Sequence, residues 1–216
     1  MAADRKIRLR LESWGFAIGA LFFVVGALPH YALAVGAPLD DLTFFIGALF
    51  FTSAALIQLV LSGRRTPRRS ADRADVDDWW ASAVQFVGTV FFNISTTNAL
   101  ITSINSATRL NSGWRPDAFG SLCFLIASGL AVTAVARRTQ FWDPSDRAWR
   151  CAWLNMLGSV FFALSAAGAY VIPATTNSLS PTWANLGTLL GALCFLIAAL
   201  LSLRISDPST SKETNE

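Results

Sequence analysis

Charged side chains are absent from five long stretches of this chain: no Asp, Glu, Lys or Arg occurs in 13–39, 42–63, 79–108, 118–136 or 151–203. A helix needs about 20 apolar residues to cross the hydrocarbon of a bilayer. The first four stretches therefore predict one crossing each. The fifth is long enough for two and divides at the polar, proline-bounded turn 173–181. Only 14% of the 216 residues are charged and 53% are hydrophobic, where a soluble chain carries about 25% charge. That balance excludes a soluble globular core, a disordered chain and a nucleic-acid binder. The expected fold is all-α and polytopic, with six transmembrane helices near 14–35, 42–62, 80–103, 117–136, 150–172 and 183–203. A closed barrel would need alternating apolar and polar residues, which these stretches lack.

Basic residues beside the spans set the orientation. Fifteen Lys and Arg flank the side that carries both termini, and two, Arg109 and Arg115, flank the other. Both termini are thus expected in the cytoplasm. Trp14, Trp79, Trp80 and Trp149 fall at the cytoplasmic boundary and Trp114 and Trp183 at the outer one, the half-wet depth an indole prefers. The net charge of +3 follows from this flanking pattern and needs no acidic partner. Arg64, Arg65, Arg68 and Arg69 could also touch anionic lipid headgroups, at about 1 kcal/mol per basic residue, or serve as an orienting signal alone. The basic start followed by an apolar run resembles a secretory signal, but cleavage would remove one copy of a repeat.

That repeat is short and regular. The first, third and fifth spans contain Gly19-Ala-Leu-Phe-Phe23, Gly88-Thr-Val-Phe-Phe92 and Gly158-Ser-Val-Phe-Phe162. The even spans carry Gly47-Ala-Leu-Phe-Phe51, Gly120-Ser-Leu-Cys-Phe124 and Gly191-Ala-Leu-Cys-Phe195. Seven residues after each glycine stands another small residue: Gly26, Ala54, Ser95, Ala127, Ser165 and Ala198. Lipid tails are as apolar as leucine, so membrane helices associate where small residues let backbones approach. The pattern predicts a helical hairpin written three times in parallel, closing into a bundle with pseudo-threefold symmetry. Its units are an amino end 1–13, hairpins 14–62, 80–136 and 150–203, linkers 63–79 and 137–149, and a disordered tail 204–216.

A span bearing Gly-small-Leu-Phe-Phe, a short turn and a second span with the same string resemble the YrhK-like family of small bacterial membrane proteins. The resemblance covers about residues 12–204 as three copies. It implies a fold and a location in the bacterial cytoplasmic membrane. It implies no activity, so no functional residue is carried over.

Enzyme signatures are missing. His30 is the single histidine, so paired-histidine haem ligation and histidine-based zinc motifs are excluded. No glycine-rich phosphate loop precedes a helix. Cys123, Cys151 and Cys194 lie in or beside spans without a CxxC pair and read as small apolar residues. No cofactor and no metal are expected, and the chain is not expected to be an enzyme.

The third span is the exception to this apolar plainness. At 100° per residue, Gln85, Thr89, Asn93 and Thr96 share about 80° of arc, opposite Val87, Val90, Phe91, Ile94 and Ile101. The fifth span repeats part of the stripe with Asn155 and Ser159. These six residues either tie helices together or line an off-centre polar pocket, with Arg115 and Asp117 at its outer mouth. Arg115 and Asp117 can equally form an interfacial salt bridge or helix cap. Two functions follow: a structural or accessory membrane component that packs against lipids, a membrane-protein partner or a second copy of itself, or a small-solute or ion pathway lined by the third and fifth spans.

Overall fold

The structure, a computed structural model, describes residues 2–61, 71–105, 114–172 and 177–205. Seven helices make it up: α1 (Ala2–Gly26), α2 (Pro29–Val35), α3 (Ala37–Leu56), α4 (Arg73–Ile104), α5 (Trp114–Arg138), α6 (Arg147–Gly168) and α7 (Pro181–Ile205). A π-helical turn, Ile57–Leu61, continues α3. All but α2 are long and apolar enough to cross a membrane, so this is a multi-pass membrane protein. Arg64, Arg65, Arg68, Arg69 and most of the expected disordered tail fall outside the described residues.

The first span differs from the expected 14–35. Pro29 cannot donate to the backbone ladder, and α1 ends at Gly26. The chain restarts as α2 with Pro29 in its first turn. Gly36 alone then joins α2 to α3, at φ +80° and ψ 162°. Only glycine adopts that region without strain. At the other end of the bundle α4 starts at Arg73 rather than near 80, giving 32 residues and a length of about 48 Å. Its first turns carry Asp75, Asp77 and Asp78 against the end of α5. Arg137 Nε stands 2.8 Å from Asp77 Oδ2 and Arg138 Nη2 2.8 Å from Asp75 Oδ1. Acids at a helix start and bases at a helix end also complement the helix dipoles.

Each helix touches the next around a closed ring, α1–α3–α4–α5–α6–α7 and back to α1. The tightest seams lie inside the hairpins, where the motif glycines sit. Gly19 packs on the carbonyl of Gly47, Gly120 on that of Gly88, and Gly158 and Gly191 on each other's. Against each glycine lies the phenylalanine that closes the partner motif: Phe23 on Gly47, Phe51 on Gly19, Phe92 on Gly120, Phe124 on Gly88, Phe162 on Gly191 and Phe195 on Gly158. Helical side chains lean toward the N-terminus. A phenylalanine four residues after its glycine therefore leans back to that glycine's level and covers the antiparallel partner's.

These six rings meet at the centre of the bundle. Phe23, Phe92 and Phe162 form one triangle with centroids 5.8 to 6.5 Å apart. Phe51, Phe124 and Phe195 form a second, at 5.5 to 6.4 Å. The hairpin pairs join the two triangles at 5.0 to 5.6 Å. Such spacings suit edge-on and offset aromatic contact. The first motif aromatic faces outward instead: Phe22 stacks on Phe50 across the outer surface of the first hairpin, and Phe50 is exposed. Leu21, Leu49, Val90, Leu122, Val160 and Ile197 are exposed too, which gives the bundle a large-residue apolar coat around a small-residue and phenylalanine interior.

Candidate functional site

The polar stripe of α4 is divided by its neighbours rather than gathered into one pocket. Thr89 is fully buried and its hydroxyl donates to the Phe86 carbonyl at 2.7 Å. One turn on, the Asn93 amide donates to the Ala48 carbonyl at 3.2 Å, to the Thr89 carbonyl at 2.9 Å and to the Thr52 hydroxyl. Thr52 in turn donates to the Thr89 carbonyl at 3.3 Å. Thr89 and Asn93 therefore stitch α4 to α3. Ser159, also fully buried, shares a 2.8 Å hydrogen bond with Ser128 and donates to the Asn155 carbonyl, stitching α6 to α5.

Gln85 and Asn155 open elsewhere, into a cavity of about 70 Å³ near the end of the bundle that holds the start of α1. Glu12, Ser13, Gln58 and Ser202 complete its polar wall, with Phe16 and Phe195 closing it toward the bundle centre. Glu12 is only 8% exposed, and its Oε1 accepts from Gln58 Nε2 at 2.8 Å. Neither Glu12 nor Gln58 was a candidate from sequence. Glu12 reads there as the last of the flanking charges, and Gln58 as one polar residue in an apolar span. The signal for Gln58 lies in the repeat: Gln58 and Ser202 each stand eleven residues after a motif glycine.

Thr96 lines a third environment, a cavity of about 520 Å³ at the opposite end. All six spans contribute to it. Phe23, Phe44, Phe92 and Trp114 supply aromatic surface, and Asp41 and Asp117 supply carboxylates. Ser95, Thr102, Ser103, Ser165, Thr188 and Asn185 add hydroxyl and amide groups. Repeat register explains the convergence. Six residues before the motif glycine stand Asp41, Trp114 and Asn185; three before it stand Phe44, Asp117 and Thr188. All six line the cavity. Eleven residues after the odd glycines, Ala99 and Ala169 line it, whereas His30 at the same register lies exposed in α2, carried out by the break at Pro29.

The expected outer mouth divides as well. Asp117 faces the cavity and makes no hydrogen bond or ion pair among the described residues. Arg115 is exposed and does not pair with it. Trp114 anchors this rim, its Nε1 donating to the Ala166 carbonyl at 2.7 Å and its ring meeting Tyr170 at 4.8 Å. Beside the cavity runs an apolar groove of about 440 Å³ between the Pro29 break and α7, and Asn185 lines both.

Phe23 and Phe92 floor the larger cavity and Phe195 roofs the smaller, so the two triangles of rings stand between them. Asn93 lines neither cavity. Among the described residues no group of three or more His, Cys, Asp or Glu could hold a metal. Comparison with protein families, with curated proteins and with solved structures finds no match to this chain.

Proposed function

We propose that this protein binds a small solute in the 520 Å³ cavity, from the non-cytoplasmic side of a bacterial cytoplasmic membrane, and performs no covalent chemistry. The observation that carries the reading is the cavity itself. Its volume falls in the range of about 300–1,000 Å³ typical of small-molecule sites, and a few polar groups converge on a largely apolar wall. A purely structural or accessory role accounts for the buried bonds of Thr89, Asn93 and Ser159, but gives no reason for two carboxylates facing one open cavity. A pathway along the α4 stripe is less favoured, because the six phenylalanines interrupt it.

The wider framework is part of the same proposal. Three YrhK-like hairpins stand about an approximate threefold axis with both termini in the cytoplasm. The two phenylalanine triangles, the alternating hairpin contacts and the matched cavity registers support the rotation. The flanking excess of Lys and Arg supports the orientation.

Cysteine labelling tests it. In a chain with Cys123, Cys151 and Cys194 changed to alanine, Ser95→Cys in sealed vesicles should react with a membrane-impermeant thiol reagent applied to the face opposite the termini. The same reagent confined to the terminal face should leave it unmodified. Labelling from the terminal face, or from neither, would sink the proposal.

A further inference from the structure

We propose that the larger cavity takes a small organic ammonium ion, held by Asp41 and Asp117 and resting its alkyl or aryl groups on Phe23, Phe44, Phe92 and Trp114. This rests on the solute-binding reading and names the ligand class. The first ground is charge. Among the described residues Asp41 and Asp117 are the only ionisable ones on the wall, with no Lys, Arg or His beside them there. Asp117 is half-buried, lines the cavity, and has no hydrogen-bond or ion-pair partner among the described residues. A carboxylate so placed is costly unless a cation accompanies it.

The second ground is the wall. Four aromatic residues surround the space, and a ring face attracts a cation within about 6 Å, most strongly when water is excluded. Quaternary and protonated amines gain from such surfaces. A bare metal ion would instead want a shell of oxygen ligands. The third ground is the repeat. At the two registers that carry the acids, the other hairpins place Phe44 and Thr188, or Trp114 and Asn185. The scaffold accepts neutral residues at both registers, so packing alone does not call for a carboxylate.

Calorimetric titration of the purified full-length protein in mild detergent tests the assignment, using benzyltrimethylammonium, benzyl alcohol and benzoate. Saturable binding of the ammonium is expected, with the alcohol at least about tenfold weaker and benzoate silent. Asp117→Asn and Asp41→Asn should each weaken the ammonium about tenfold or more. Asp75→Asn, in an ion pair at the other end of the bundle, should leave it unchanged. Should an aspartate variant fail to fold, the ammonium must still protect Ser95→Cys from thiol labelling in the otherwise native cavity, and benzoate must not. Absence of ammonium binding, equal binding of the alcohol or benzoate, or indifference to both aspartates overturns the inference. If benzyl alcohol or benzoate alone protects Ser95→Cys, the cation is lost but the solute-binding reading stands. If Ser95→Cys is never labelled, that reading falls too.

Discussion

Phe195 lies on Gly158 so closely that a Cβ at that glycine would stand 2.8 Å from the ring's Cδ2 and 3.0 Å from the Gly191 carbonyl oxygen. The same relationship, glycine under the phenylalanine that closes the partner's motif, recurs in all three hairpins. It ties the short motif to the packing of the bundle.

Alanine at a seam glycine must displace a partner's ring, as at Gly47 and Gly88, or its backbone, as at Gly187. Gly187 is a clear case, its added Cβ meeting the Phe161 carbonyl oxygen at 2.7 Å and the Ser165 nitrogen at 2.8 Å. Gly187→Ala should cost about 1–3 kcal/mol, the usual range for overpacking. Gly129→Ala, whose nearest neighbour is Met156 Cε at 3.7 Å, should be neutral or slightly stabilising. Thermal unfolding of both variants in detergent compares them directly.

Gly36 presents the opposite problem. Nothing lies within 4 Å of its Cβ position, but its φ is +80°. Gly36→Ala should therefore cost about 1–3 kcal/mol through backbone strain alone. A calorimetric scan showing an unchanged midpoint would contradict that conformation of the α2–α3 joint.

Asn93 and Thr52 offer a bond between spans that a mutant cycle can measure. A double-mutant cycle with Asn93→Ala and Thr52→Ala should give a coupling of about 0.6 kcal/mol and not more than about 1.7 kcal/mol. A value near zero would mean that the two side chains do not meet. A change in solute binding from either substitution would return Asn93 to the functional site.

Ion pairs at the terminal end should matter little. Asp77→Asn breaks a contact with Arg137 that is largely exposed on the arginine side. The expected loss is about 0–1 kcal/mol, shrinking as salt is added. A loss several times larger, unaffected by salt, would indicate that Asp77 is buried in the assembled protein.

The centre of the bundle tests the aromatic cluster. Phe162 touches Phe23, Phe92, Phe124 and Phe195. Phe162→Ala should cost about 3–5 kcal/mol, and Phe161→Ala, one residue toward the outer surface, far less. Equal losses in thermal stability would mean that the inward and outward roles are misassigned.

Hydrophobicity and charge placement determined the six spans from sequence, because a charge-free stretch of bilayer length has few other stable environments. The glycine–phenylalanine register was legible too, since a repeated packing contact must repeat its residues. Partners of the polar groups were not. Helical periodicity places Gln85, Thr89, Asn93 and Thr96 on one face, but only the lateral neighbours decide what that face meets. Packing of α3 against Thr89 and Asn93, and open space beside Gln85 and Thr96, divide one stripe into three environments. Asp41 and Asp117 are 76 residues apart, and each reads alone as an interfacial charge. Closure of the ring brings them to one cavity wall, because side-chain direction follows from the local chain whereas enclosure requires all six helices.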